Sequence, residues 1–250
     1  ERVTILCPPP TLLRTMGCDS PAESLPDLRM CYVGGEALSE DLAEVWGAAL
    51  RLENGYGPTE CTVTVVRGQV HPREPVTIGS PVPPHVAHVL DDQLQPVAPG
   101  DAGELCIAGP GLARGYLGKP ELTAERFPTL PGMGRVYRTG DLVSTDARGR
   151  LHYHGRIDAQ VKVRGYRIEL EAIESVLARC AGVREVAVVA QGEEPARRLV
   201  AHVVPIAPGS PLDVAGLRAS VARELPNYMV PAQFVLMEQL PRTVGGKIAR

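Results

Sequence analysis

The chain has 250 residues, 44% apolar but only 4% aromatic, enough for one large domain or two smaller ones with a mainly aliphatic core. Its net charge of −3 argues against a nucleic-acid surface or an anionic membrane as main partner, and no apolar run is long enough to span a bilayer. Six scattered cysteines (Cys7, Cys18, Cys31, Cys61, Cys106, Cys180), with no Cys-x-x-Cys pair, suit reduced thiols in a cytoplasmic protein better than a disulfide framework.

Residues 3–7 are apolar and β-branched and run into Pro8-Pro9-Pro10, which predicts a strand ending at a loop. The start shows neither a signal peptide nor an initiator methionine; it reads as a strand entered midway, so a longer parent chain is expected. Residues 28–33 predict a second buried strand, closed by Gly34-Gly35-Glu36. Ser39 is placed to cap a helix to about residue 50, with Leu42, Val45, Trp46 and Ala49 on one face. Next comes Asn54-Gly55-Tyr56-Gly57-Pro58-Thr59-Glu60, which holds two glycines, an aromatic, a hydroxyl and a carboxylate. Gly55 and Gly57 let the backbone approach a ligand, Tyr56 offers a flat face, and Thr59 and Glu60 offer oxygens suited to phosphate and a hard cation. Strand, helix and strand with such loops suggest a mostly parallel α/β sheet.

From about residue 63 to 153, short β-rich runs (63–66, 86–90, 104–108, 136–138, 151–153) alternate with Gly/Pro turns, predicting an antiparallel subdomain. Residues 120–127 form a short helix with proline near its start. His85, His88, His152 and His154 lack further ligands at metal spacing and read as strand residues. After Asp158 the pattern becomes βαββαβ: a strand at 161–163, a helix at 168–180 burying Leu170, Ile173, Val176 and Leu177, strands at 185–189 and 199–204, a helix at 212–225 burying Leu217, Val221 and Leu225, and a strand at 233–237. That is a small α+β domain of ordinary size.

Three further stretches carry chemistry. Tyr137-Arg138-Thr139-Gly140-Asp141-Leu142 sets a carboxylate after a glycine at an expected strand end, where it could accept bonds from vicinal hydroxyls. Gly155-Arg156-Ile157-Asp158 lies at the change of composition, as a hinge would. Pro241-Arg242-Thr243-Val244-Gly245-Gly246-Lys247-Ile248 places a glycine-flanked lysine where it could reach a phosphate as a point charge.

Taken in order, NGYGPTE, GELCIAGPGLARGYLGKPELTAERF, YRTGDL, GRIDAQVKVRGYRIELEAIE and PRTVGGKIAR make the chain resemble the adenylation domains of nonribosomal peptide synthetases, in the superfamily that also holds acyl-CoA synthetases and luciferases. The resemblance spans nearly the whole chain. It implies the C-terminal part of a large adenylate-forming core, with a parallel sheet and a small β-rich subdomain, over residues 1–157. A small mobile α+β domain over 158–250 would follow, hinged at Asp158. The implied reaction joins an amino acid to ATP as aminoacyl-AMP, releasing pyrophosphate, and passes the aminoacyl group to the phosphopantetheine thiol of a peptidyl carrier protein in the same longer chain. ATP and Mg²⁺ are the implied cofactors.

By the same resemblance Tyr56 stacks on adenine, while Asn54, Gly55 and Gly57 with Gly34-Gly35-Glu36 line the base pocket. Thr59 holds a phosphate oxygen and Glu60 places Mg²⁺. Asp141 binds the ribose hydroxyls, assisted by Arg156, and Lys247 bridges the substrate carboxylate and α-phosphate. Lys162, Arg164 and Gly165 belong to a loop presented for thiolation. Cys7, Tyr32, Gly34, Gly55, Val63 and Thr64 line the acyl pocket, closed by Lys247. Gly34 and Gly55 are expected to leave room there, and an uncharged or basic amino acid is favoured. The final motif departs from the family at Gly245 and Ala249, and Glu171 stands where glycine is common; Lys247 is intact. The family's phosphate loop and its amino-binding aspartate are expected upstream of Glu1, so the 250 residues alone are expected not to adenylate. The alternatives are an acyl- or aryl-acid ligase passing its adenylate to CoA or a reductase domain, and a non-catalytic interaction domain of the same fold.

Overall fold

The computed structural model describes residues 2–157, 160–163, 165–192, 196–207 and 212–242. The chain divides into two compact units, Glu1–Asp158 and Ala159–Arg250.

The first unit opens with a five-stranded sheet. In chain order, β1 (Ile5–Leu6) is followed by α1 (Pro10–Met16) and α2 (Pro21–Ser24), then β2 (Met30–Gly34), α3 (Glu40–Ala49), β3 (Arg51–Tyr56), β4 (Val66–Val70) and β5 (Ser80–Pro81). The spatial order is the chain order. The pairings β1–β2 and β2–β3 are parallel, whereas β3–β4 and β4–β5 are antiparallel. The sheet is therefore mixed rather than mostly parallel. A parallel pairing needs a crossover of a dozen or more residues, and between β3 and β4 the chain forms only the 3₁₀ turn Thr59–Cys61.

Two local expectations shift. The strand expected at 63–66 begins only at Val66, because Thr62 and Val63 have φ of 63° and 66°, outside strand geometry. Helix α3 starts after Ser39, but Arg14 Nη2 donates to the Ser39 hydroxyl (2.8 Å) and the side chain does not cap. Its buried residues are Ala43 and Trp46, while Val45 is exposed. The small Ala43 lets the helix seat Trp46 among Leu13, Cys31, Val33 and Leu52.

The rest of the unit is antiparallel. It comprises β6 (Val86–Leu90), β7 (Ala102–Ala108), α4 (Pro120–Arg126), β8 (Thr129–Leu130), β9 (Gly134–Thr145) and β10 (Leu151–Arg156), in sheet order β10-β9-β7-β6 with β8 on β9. One apolar cluster joins the two sheets: Tyr56, Val65, Val66 and Ile78 pack with Leu105, Ile107, Phe127, Tyr137 and Val143. His88 lies in β6, and His152 and His154 in β10, as expected. His85 instead precedes β6. Its ring fills the space beside Gly109 and Gly111, and its Nδ1 stands 3.1 Å from the Val82 carbonyl.

The second unit begins with the antiparallel hairpin β11 (Gln160–Val163) and β12 (Tyr166–Glu169). Helix α5 (Leu170–Ala178) follows, then β13 (Val183–Gln191), β14 (Arg198–Pro205), α6 (Val214–Glu224) and β15 (Gln233–Leu236). Strand β14 pairs antiparallel with β13 and parallel with β15. The helix expected from residue 168 starts at Leu170, since Ile168 is the inward residue of β12. The alternation of Tyr166 out and Ile168 in is a period-two signal. Leu170, Ile173, Val176 and Leu177 are all buried, and Asp213 caps α6 by accepting from the Gly216 amide (2.9 Å). No helix among the described residues is long and apolar enough to cross a membrane.

Candidate active site

The Asp141 carboxylate is one of the buried polar groups of the first unit. It lies within β9, not at a strand end, and is 3% exposed. Arg156 pairs with it across the β9–β10 register and donates Nη1 to Oδ1 (2.9 Å) and Nη2 to the Thr139 carbonyl (3.0 Å). The Tyr56 hydroxyl donates to Oδ2. β3 and β10 therefore converge on one carboxylate, and two of its roughly four lone-pair sites are engaged. Burial, and next the negative charge of Asp141, push the Tyr56 hydroxyl well above the ordinary tyrosine range, so it remains a donor.

The Tyr56 ring is 7% exposed and packs in the cluster joining the two sheets. The flat face assigned to adenine is here covered by protein. A ring on strand β3 points into the inter-sheet core, and its hydroxyl holds the oxygen that a ligand hydroxyl would seek.

Directly after β3 the chain bends through Thr59–Cys61. Thr59 is exposed and Cys61 fully buried, so Cys61 anchors the turn while Thr59 faces outward. Glu60 Oε1 accepts from the Tyr116 hydroxyl (2.8 Å), and the Glu60 carbonyl accepts from the Ala113 amide (2.7 Å). Burial first, then hydrogen bonds to Tyr137 and Glu60, raise the Tyr116 hydroxyl far above its usual range, so it too remains a donor. A carboxylate fixed this way suits Mg²⁺, which is ordinarily held by one or two carboxylates plus substrate phosphates. Among the described residues no cluster of three His, Cys, Asp or Glu forms a self-sufficient metal cage. No periodicity or charge pattern in the sequence marks Tyr116, which lies in the run Ala113-Arg114-Gly115-Tyr116-Leu117.

The exit from this turn is strained. Thr62 and Val63 are consecutive β-branched residues in the left-handed region, an uncommon and costly conformation. The Thr62 hydroxyl donates to the Gly111 carbonyl (2.8 Å), and the Val65 amide to the Tyr56 carbonyl (3.0 Å). A Cβ at Gly57 would collide with the Val63 carbonyl, so only glycine permits this fold-back.

Four of the expected acyl-pocket residues do gather. Gly34 faces Gly55 in the β2–β3 register, and the Tyr32 hydroxyl lies 2.9 Å from Thr64 Oγ1. The room expected at Gly55 is filled, since a Cβ there would strike the Tyr32 ring and hydroxyl. Val63 is 76% exposed, and Cys7 is exposed after β1. Burial and the nearby Cys7 push the Cys31 thiol up to about 12, which leaves it protonated and inert.

Two of the expected base-pocket residues have structural partners. The Asn54 amide donates to the Thr77 carbonyl (2.8 Å) and is buried. Glu36 accepts from the Thr11 amide and hydroxyl (3.0 Å each), and so caps the start of α1. Gly35 is exposed, in the left-handed turn after β2. In the second unit Lys162 lies on β11 opposite Arg167, and Gly165, with φ of 80°, is in the hairpin turn. Asp158, Arg164 and Lys247 lie outside the described residues.

An α/β sheet carrying the Tyr56–Glu60 motif, an antiparallel sheet carrying Asp141 and a separate α+β unit define an adenylate-forming architecture. The family described as AMP-binding enzyme matches residues 1–117, and the AMP-binding enzyme C-terminal domain matches residues 172–247. The chain belongs to this adenylate-forming superfamily of AMP-binding enzymes. Novobiocin biosynthesis protein H of Streptomyces niveus is 44% identical, over 100% of this chain and 42% of its own length. Tyrocidine synthase 2 of Brevibacillus parabrevis is 44% identical, over 99% of this chain and 7% of its own. The structure of holo-PA1221, an NRPS protein containing adenylation and PCP domains, superposes with a TM-score of 0.81 at 32% identity, covering 99% of this chain and 44% of that one. The chain thus spans less than half the length of each of these relatives.

Proposed function

We propose that this chain is the C-terminal part of a nonribosomal peptide synthetase adenylation domain. Residues 1–157 belong to the large core and 158–250 form the small subdomain, with Asp158 as hinge. The whole protein activates an amino acid as its adenylate and hands it to a carrier-protein phosphopantetheine. The observation that carries this reading is the Asp141 carboxylate, held between Arg156 of β10 and Tyr56 of the strand leading to Thr59 and Glu60. It ties three separate sequence motifs to one point.

In this reading Asp141 accepts the ribose hydroxyls, and Arg156 and Tyr56 fix its orientation. Thr59 meets phosphate oxygen from its exposed position. Glu60, steadied by Tyr116, would hold Mg²⁺, which supplies charge neutralisation at the phosphates. Lys247 brings the substrate carboxylate and α-phosphate together. The reaction needs no protein nucleophile; the work is positioning and electrostatic stabilisation. Turning about Asp158 would exchange Lys247 for the thiolation loop of Lys162, Arg164 and Gly165, one site then serving two half-reactions. The tight Tyr32–Thr64–Gly55 contact limits the space there and supports a substrate side chain of modest size, uncharged or basic.

The test is ATP–pyrophosphate exchange by the full-length protein with panels of amino acids, aryl acids and fatty acids. Amino-acid-dependent exchange is expected, and exchange with aryl or fatty acids alone would overturn the reading. Lys247→Ala should lower exchange by roughly 10²–10³-fold while preserving transfer from preformed aminoacyl-AMP to the carrier protein.

A further inference from the structure

Strand β9 does not run regularly past β7. The register passes from Leu142 opposite Glu104 to Arg138 opposite Cys106, so Thr139, Gly140 and Asp141 stand against Leu105 alone. Gly140 has φ of 72°, which turns the backbone over at this point. Such a bulge forfeits ladder bonds and re-aims side chains. The lost bonds are replaced from β7. Glu104 Oε1 accepts the Gly140 amide (3.0 Å), and the Leu105 carbonyl accepts the Thr139 hydroxyl (2.7 Å), whose oxygen in turn accepts the Asp141 amide (3.0 Å).

Glu104 is 6% exposed, a costly place for a carboxylate unless it is fully bonded. Its second oxygen takes two donations from Arg138 (3.0 and 2.7 Å), two residues before Gly140. One carboxylate thus grips β9 just before the bulge and at its centre, and Asp141 follows directly.

We propose that Glu104 is a positioning residue for nucleotide recognition: by holding Gly140 and Arg138 it sets where the Asp141 carboxylate stands for the ribose diol. The proposal rests on the ribose role of Asp141 given above. It predicts that Glu104, whose carboxylate is bonded to Arg138 and Gly140, governs discrimination between ATP and a nucleotide lacking one ribose hydroxyl.

The experiment measures KM and kcat of pyrophosphate exchange by the full-length protein with ATP and with 2′-deoxy-ATP. The variants are Glu104→Ala, Glu104→Gln, Asp141→Asn and the double variant Asp141→Asn/Glu104→Gln. Glu104→Ala should raise KM for ATP on the order of tenfold, as expected for one displaced charge-assisted hydrogen bond, with kcat changed less and the preference for ATP reduced. Glu104→Gln keeps an acceptor for Gly140 and should fall between wild type and alanine; it also serves if the alanine variant does not fold. The double variant should lose no more preference than Asp141→Asn. If Asp141→Asn erases the preference while both Glu104 variants keep it with unchanged KM, the role of Glu104 is overturned and that of Asp141 stands. If Asp141→Asn itself keeps the preference, the ribose reading falls and takes the proposal with it. Equal losses on both nucleotides in the Glu104 variants would also overturn it, because they would mark a general structural defect.

Discussion

The two units spend their interiors differently. Of the seven buried polar or charged residues among those described, Glu53, Asn54, Thr77, Glu104, Thr139 and Asp141 lie in the first unit and only Gln160 in the second. The second unit instead packs Leu170, Ile173, Val176 and Leu177 of α5 and Leu217 and Val221 of α6 against the strand residues Val188, Leu199, Ala201 and Val203. Buried polar groups are expensive unless satisfied, and once satisfied they hold one geometry. A unit that must present a carboxylate at a set position uses such groups. Among the described residues the second unit relies almost wholly on apolar packing.

This contrast can be broken by mutation. The largest effect is expected from Arg156→Ala, which leaves the buried Asp141 charge without its cationic partner; losing one partner of such a pair costs about 3–5 kcal/mol. Hydrogen exchange should show loosened amides on β9 and β10, with α5 and β14 unchanged. Equal loosening of both units would mean that the contrast is false. Leu177→Ala, fully buried in the apolar cluster, should cost about 2–5 kcal/mol from lost burial and the cavity left behind. Its signature is the reverse, a second unit that unfolds at lower denaturant while nucleotide discrimination at Asp141 is retained.

Smaller changes sharpen the comparison within the first unit. Val63→Gly removes the left-handed strain at φ of 66°, so stability should rise by about 1 kcal/mol, the usual cost of that conformation. Exchange activity should nevertheless fall, because Thr59 and Glu60 lose a stiff neighbour; a melting curve beside an activity assay would show both. The smallest effect concerns the surface. Hydrogen bonds from Arg14 and then Ser39 hold the Asp41 carboxyl down at about 2. Its folded value is depressed, so its contribution is present above the ordinary carboxylate range and is lost as pH falls toward 2. An Asp41→Asn variant should therefore be slightly less stable than wild type at pH 6 and indistinguishable near pH 2. The shift should be far smaller than that from Arg156→Ala, because exposed pairs contribute little.

What could be read from the linear chain was of two kinds. Periodicity located the elements whose burial repeats regularly: α5 with its four apolar positions, α6, and strands β6, β7, β13 and β14. Motif order identified the adenylate-forming family, because the five motifs need only be present in series. The bulge in β9, the strained Thr62–Val63 pair, the burial of the Tyr56 ring and the duties of Asn54 and Glu36 toward Thr77 and Thr11 were not legible. Each depends on a partner 23 to 85 residues away in the chain or on a backbone angle that composition does not encode. Glu104 left one trace, as a lone charge entering the apolar run Leu105-Cys106-Ile107-Ala108. The sequence alone therefore determined which chemical groups are available and in what order. Only the tertiary structure decided that Tyr56 and Arg156 meet on Asp141 and that Glu104 stands behind it, because a hydrogen bond requires atoms within about 3 Å, a condition set by the packing of the two sheets.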